Sequence, residues 1–110
     1  MDQFFEQEIN NLHAEICAGL ADPKRILILY ALSQGTYTVK ELVDLLGWSQ
    51  PVVSRHLKVL RERSMVIAAR QGASVEYRLA DERLIQALDL LRAVLRNNLA
   101  HRALLSEALS

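Results

Sequence analysis

Apolar residues Phe5, Ile9, Leu12, Ile16 and Leu20 recur at spacings of four, three, four and four, which puts them in one stripe along a helix. Acidic and amide residues fill the gaps, so an amphipathic helix is predicted from about Asp2 to Gly19, the glycine being a natural stop. Asp22-Pro23 opens a second helix, with Asp as N-cap and Pro at the first position, where its missing N–H costs nothing. Its body, Ile26 to Leu32, is apolar all round and belongs at the centre of the core; Ser33-Gln34-Gly35 ends it. Thr38-Val39-Lys40-Glu41 has the spacing of a capping box and starts a third helix that runs to Leu46 and stops at Gly47. Ser49 caps a fourth, with Pro51 in its first turn, which continues to about Arg63.

Two helices joined by a short Gly-containing turn have the layout of a helix-turn-helix, here residues 38–63. Val66–Arg70 and Ser74–Leu79 then flank Gln71-Gly72-Ala73, a hairpin or wing over residues 66–79. In its second strand Val75, Tyr77 and Leu79 alternate with polar residues, as a half-buried strand requires. From Asp81 the pattern is helical again: Leu84, Leu88, Leu91, Leu95 and Leu99 form a stripe that Ile85, Leu90 and Val94 widen. A helix of this length reaches about 40 Å, more than a small core covers, so part of its apolar face needs another partner. The fold class is mostly α with a small β-hairpin, a winged helix-turn-helix within one domain, 1–110. Segments 1–19 and 81–108 are extra terminal dimerisation helices, with Phe5, Ile9, Leu12, Ile16, Leu88, Leu91, Leu95 and Leu99 as the expected interface residues.

The bulk composition narrows the setting. A chain of 110 residues holds one core. The single Cys17 excludes an intramolecular disulfide and a four-cysteine zinc site. The first residues are acidic, unlike a signal peptide, and the longest apolar run is far too short to span a bilayer, so a cytoplasmic protein without a membrane partner is expected. The formal net charge is zero, yet it is segregated: residues 1–22 carry five acidic and no basic side chains, whereas residues 49–78 carry six basic and two acidic ones. A phosphate backbone would lie against that second segment.

The fourth helix carries the chemistry. At 100° per residue Val52, Val53, His56, Leu57, Val59 and Leu60 gather on one side, and Pro51, Ser54, Arg55, Lys58, Arg61 and Glu62 on the other. An apolar back and an outer face of hydroxyl, amide and guanidinium groups suit a helix that enters the major groove, where Arg pairs with guanine and Gln with adenine. Ser49 and Gln50 sit at its N-terminal end, where backbone amides meet phosphate. The same surface is also what an ordinary solvated helix shows; the flanking helix-turn and hairpin favour DNA. Arg70 and Gln71 sit at the hairpin tip, either reaching a neighbouring groove or simply forming a polar turn.

His56, in the middle of the apolar side, is read as a hydrogen-bonded core histidine and not as a base reader. His13 and His101 stand alone on the terminal helices as surface or interface residues. Cys17 is expected as a small buried hydrophobe, the other reading being a redox thiol bridging two subunits. Trp48 is expected to pack over the core edge. No phosphate loop, nucleophile–base–acid set or paired carboxylates suggest an enzyme, and no cofactor is implied.

Leu20-Ala21-Asp22-Pro23-Lys24-Arg25-Ile26-Leu27-Ile28-Leu29 resembles a signature of the ArsR/SmtB family of bacterial repressors. So do Ser49-Gln50-Pro51-Val52-Val53-Ser54-Arg55-His56-Leu57-Lys58-Val59-Leu60, Arg70-Gln71-Gly72 and Tyr77, a resemblance covering about residues 12–82. It implies a homodimer of winged-helix domains that binds inverted-repeat operator DNA and releases it on an inducer signal. By matching position Ser49, Gln50, Ser54 and Arg55 become DNA readers and the Arg70–Ser74 turn the wing. The family's soft-metal sensors carry Glu-Leu-Cys-Val-Cys-Asp-Leu where this chain reads Glu41-Leu42-Val43-Asp44-Leu45-Leu46-Gly47, without a thiolate. Zinc sensors place Asp-x-His and later His-x-x-His on the last helix; here Asp81-Glu82-Arg83 and the neighbourhood of Val94, Arg96 and Asn97 keep only Asp81. Ser64 also stands where the family usually has Gly after the recognition helix. The expected protein is a dimeric transcriptional regulator that contacts DNA through Ser49, Gln50, Pro51, Ser54, Arg55, Lys58, Arg61, Arg70 and Gln71, without either known metal site. The other readings are a winged-helix module for protein–protein assembly and a redox switch acting through Cys17.

Overall fold

The computed structural model describes residues 1–109. Helix α1 (Gln3–Asn11) is capped by Asp2, whose carboxylate accepts the Phe4 N–H at 2.8 Å. It passes without a break into a π-helical stretch, Leu12–Cys17, and a final turn, α2 (Ala18–Leu20). Helix α3 (Pro23–Leu32) follows, then a two-residue strand β1 (Tyr37–Thr38), α4 (Val39–Leu46), α5 (Gln50–Glu62), β2 (Val66–Gln71), β3 (Ser74–Leu79) and α6 (Arg83–Leu109).

The caps read from the sequence are in place. Asp22 accepts from Lys24 N at 2.8 Å, and the reciprocal Thr38–Glu41 bonds of the capping box measure 3.2 and 2.9 Å. Gly47 ends α4 in the left-handed region at φ 73°. The predicted hairpin is extended to a three-stranded antiparallel sheet, order β1-β3-β2, because Tyr37 pairs with Tyr77 and Thr38 with Glu76. At the wing tip Gln71 pairs with Ser74 across Gly72-Ala73. Ser64 takes the left-handed conformation expected of Gly, φ 58°, and the turn still closes, Met65 N donating to Leu60 O at 2.9 Å.

The core is built where the apolar faces converge: Ile28, Leu29 and Leu32 of α3, Leu42 of α4, Val53, Leu57 and Leu60 of α5, then Met65, Val66 and Leu79. Leu88 joins them at 4% exposure. It is therefore a core residue of the single chain, a correction to its expected place in an intersubunit seam: the base of α6 lies on the core, and Leu88 is on that turn. Beyond it Leu91, Leu95 and Leu99 are each more than half exposed.

The first helix also departs from expectation. A π turn carries one more residue than an α turn, so side chains beyond it lag by about one residue's rotation. The single stripe of the sequence is divided where the helix leaves the core: Phe5, Ile9 and Leu12 stay exposed, while Ile16 and Leu20 pack against it. Cys17 is exposed, not buried. Gly19 is not the stop: the helix continues to Leu20, and Gly19 is buried where a Cβ would come within 2.6 Å of Met65 Sδ and 3.1 Å of Arg63 Cδ. The position needs Gly because two side chains cross it.

No described helix is long and apolar enough to cross a membrane. The chain is extended, 60 × 41 × 22 Å with a radius of gyration of 17.4 Å, against about 13 Å for a compact domain of this length. Gly19→Val is expected to destabilise the fold by about 1–3 kcal/mol through overpacking. An unchanged denaturation midpoint would show that Met65 and Arg63 move aside without cost.

Candidate nucleic-acid interface

Helix α5 owes its orientation to its buried side. Val53, His56, Leu57 and Leu60 fix it on the core, and Ser49 caps its start by accepting Val52 N–H. That places Ser49, Gln50, Pro51, Arg55, Lys58 and Arg61 in solvent, with Ser54 half-buried. Gln50 Nε2 donates to Ser54 Oγ at 3.0 Å, which presets the amide at the helix start. Lys58 lies 3.9 Å from Glu62, an exposed pair one turn apart that a stronger anion can replace. Ser54, Lys58, Arg61, Glu62 and Tyr77 line a hollow of about 370 Å³ between α5 and β3.

Arg70 and Gln71 are exposed at the hairpin tip. The basic excess of residues 49–78 is not all on this face. Arg63, at the end of α5, turns back and donates to the carbonyls of Ala14 and Glu15 in the π stretch. Arg78 lines a different hollow, with Leu32 to Thr36. Arg55, Lys58, Arg61 and Arg70 remain as the cations of the face.

His56 is 4% exposed, and its Nδ1 lies 3.3 Å from Arg25 Nη1. A guanidinium only donates, so Nδ1 accepts and the ring is neutral with its proton on Nε2. Burial is the main cause that holds the imidazole below its usual range; nearby Arg25, Arg55 and Lys24 add to this and Asp22 opposes it. The reading of His56 as a bonded core histidine fits this placement. Trp48 packs against the core with Lys24 over its ring at 4.2 Å.

The start of the last helix carries an ion pair. Asp81 caps its start, accepting Arg83 N at 2.9 Å, and the Arg83 guanidinium forks onto both carboxylate oxygens at 2.7–3.2 Å. Among the described residues no three His, Cys, Asp or Glu side chains gather in a metal-binding group. The Asp81 carboxylate has a cation of its own chain for a partner. His13, His101 and Cys17 lie exposed on the outer helices.

Residues 22–67 match the model for the bacterial regulatory protein, arsR family. The chain is 44% identical over 78 residues to the HTH-type transcriptional repressor SmtB of Mycobacterium tuberculosis, a match covering 71% of this chain and 58% of that protein. It is 41% identical over 83 residues to the HTH-type transcriptional regulator CmtR of the same species, covering 74% of this chain and 70% of that one. The chain thus spans a little over half the length of the SmtB relative. Among solved structures, the solution structure of a homodimeric winged helix-turn-helix DNA-binding domain from Mycobacterium bovis superposes with a TM-score of 0.77 at 26% identity. That match covers 92% of this chain and 93% of the other.

The Asp81–Arg83 fork sets a titration. Arg83 holds the Asp81 carboxyl down at about 2 from an ordinary 3.8. A depressed carboxylate contributes to folding above the ordinary value, and the contribution fades as pH falls through about 2. Arg83→Ala, which removes the guanidinium and keeps the residue-83 N–H, is expected to raise the carboxyl carbon's NMR titration midpoint from about 2 part of the way to 3.8. A midpoint still near 2 would mean that the helix cap, not the guanidinium, holds it.

Proposed function

Since the chain belongs to the ArsR family of bacterial regulatory proteins, we propose that it is a dimeric, sequence-specific DNA-binding transcriptional regulator, a repressor released from its operator by an inducer. The observation that carries this reading is the outward face of α5, which presents Gln50, Ser54, Arg55, Lys58 and Arg61 beside a hairpin tip bearing Arg70 and Gln71. A protein-assembly module would present aliphatic or aromatic residues there. In this reading Arg55 and Gln50 read base edges, Ser49, Pro51 and Ser54 set the helix start against the backbone, and Lys58 and Arg61 meet phosphates. Arg70 and Gln71 reach the neighbouring groove.

A second copy is the partner for the apolar surface. Phe5, Ile9 and Leu12 on the first helix and Leu91, Leu95 and Leu99 on α6 are between 43% and 58% exposed, a patch a monomer rarely leaves open. Two such copies place two α5 helices on one duplex, which suits an inverted repeat. The M. bovis domain of the same fold is itself homodimeric.

Arg55→Ala is expected to cost about 1–3 kcal/mol at a selected duplex and to relax base preference; equal loss on every sequence would reduce Arg55 to a phosphate contact. Lys58→Ala should weaken binding to all DNA and flatten its salt dependence by about one unit, so an unaltered slope argues against that role. If no duplex is enriched from random sequence by the wild-type protein, the regulator reading itself fails. Leu91→Glu should give monomers in sedimentation velocity, because a charge would enter an apolar seam. A variant that stays dimeric would put the seam elsewhere.

A further inference from the structure

Arg25 lies at the crossing of three helices. Its side chain is 14% exposed. Nε donates to Gly19 O at 2.7 Å and Nη2 to Ala18 O at 3.2 Å, both at the end of α2. Nη1 donates to His56 Nδ1 at 3.3 Å, in the middle of α5, and Asp22 lies 3.9 Å away as the nearest carboxylate. One guanidinium therefore joins the helix that bears the exposed apolar stripe to the helix that bears the DNA-facing residues. Arg63 makes the second tie between the same two helices, from the end of α5 to the Ala14 and Glu15 carbonyls.

We propose that Arg25 is a positioning residue for DNA recognition, holding α5 in register with the first helix through neutral His56, so that protonation of His56 releases operator DNA. The proposal rests on the reading of the chain as a DNA-binding regulator. Its chemistry is simple. Once Nδ1 carries a proton it is a donor facing a donor, and two positive charges stand where a hydrogen bond was. The groups around the ring are Asp22, Lys24 and Arg25 at the start of α3 and Arg55 on α5 itself, three cations against one carboxylate. From α2, backbone carbonyls reach Arg25. Folding favours the neutral ring. The bond is fully present above the ordinary imidazole range, and it is lost as pH falls through the depressed value.

The sign separates this device from general electrostatics. Acid adds positive charge to a protein as a whole, and that alone would tighten binding to DNA. Here operator affinity should fall while non-specific affinity holds or rises.

The test is fluorescence anisotropy with a duplex selected from random sequence and an unrelated duplex, between about pH 7.5 and about pH 5, with thermal melts at each pH. For the wild-type protein we expect operator affinity to drop about tenfold, the loss expected of one hydrogen bond involving a charged group, in protein that stays folded. His56→Asn keeps an acceptor near the Nδ1 position and cannot take up a proton there, so its operator affinity should be flat over the same range. Arg25→Lys keeps the charge without the fork; it should weaken operator binding at neutral pH and lose most of the further fall in acid. The double variant His13→Gln, His101→Gln should behave as wild type. A flat wild-type profile overturns the proposal, as does a fall of equal size in His56→Asn or in binding to the unrelated duplex. Absence of any enriched duplex at every pH instead overturns the regulator reading, and this proposal with it.

Discussion

A largely buried guanidinium cannot shed its charge, so the structure around Arg25 has to supply acceptors in fixed directions. That requirement orders much of the molecule. The last carbonyls of the first helix must point inward, which brings Ala18 and Gly19 against α3. The acceptor on the recognition helix must be an imidazole nitrogen without a proton, which is why a polar residue sits in the otherwise apolar back of α5. Asp22 serves both as cap of α3 and as counter-charge. Once those contacts are made, the side chains of Met65 and Arg63 cross over Gly19, where a Cβ would press on both.

The rest of the architecture follows from how little of the chain this core can cover. Twelve buried apolar residues draw in α3, α4, α5, the sheet and the base of α6. The outer half of α6 and the N-terminal half of the first helix extend beyond it, and their leucines, isoleucine and phenylalanine remain in water in a single copy. The outward face of α5 and the exposed apolar stripe of the first helix are thus on different parts of one small body, joined by two arginines.

Local signals were legible in the sequence because each depends on a few neighbouring residues. Asp22-Pro23, the Thr38–Glu41 box, Gly47, Ser49 and the alternation of Val75, Tyr77 and Leu79 each act within one turn or one strand. The features that escaped depend on residues distant in the chain. Tyr37-Thr38 is too short to alternate, and it becomes a strand only because β3 lies beside it. Gly19 reads as a helix stop, whereas its role is set by Met65 and Arg63, more than forty positions on. Leu88 and Leu91 occupy equivalent places in one stripe, and periodicity has no means to tell which meets the core of its own chain. The charge summed over residues 49–78 exceeds that of the outward face of α5 and the hairpin tip, since Arg63 and Arg78 lie elsewhere. The outward residues of α5 were legible but for Ser54, which is half-buried, because one helix with one buried face leaves little choice.

The π stretch at Leu12–Cys17 separates the two duties of the first helix. Before it the residues are exposed on every side; Ile16 within it and Leu20 beyond it pack against the core. A single-residue insertion or deletion at this place would swing the outer half by about one residue's rotation, roughly 100°, while every contact made by Ala18, Gly19 and Leu20 stayed where it is. A change of length alone can in this way re-aim the outer half, with no substitution in α3, α5 or the core.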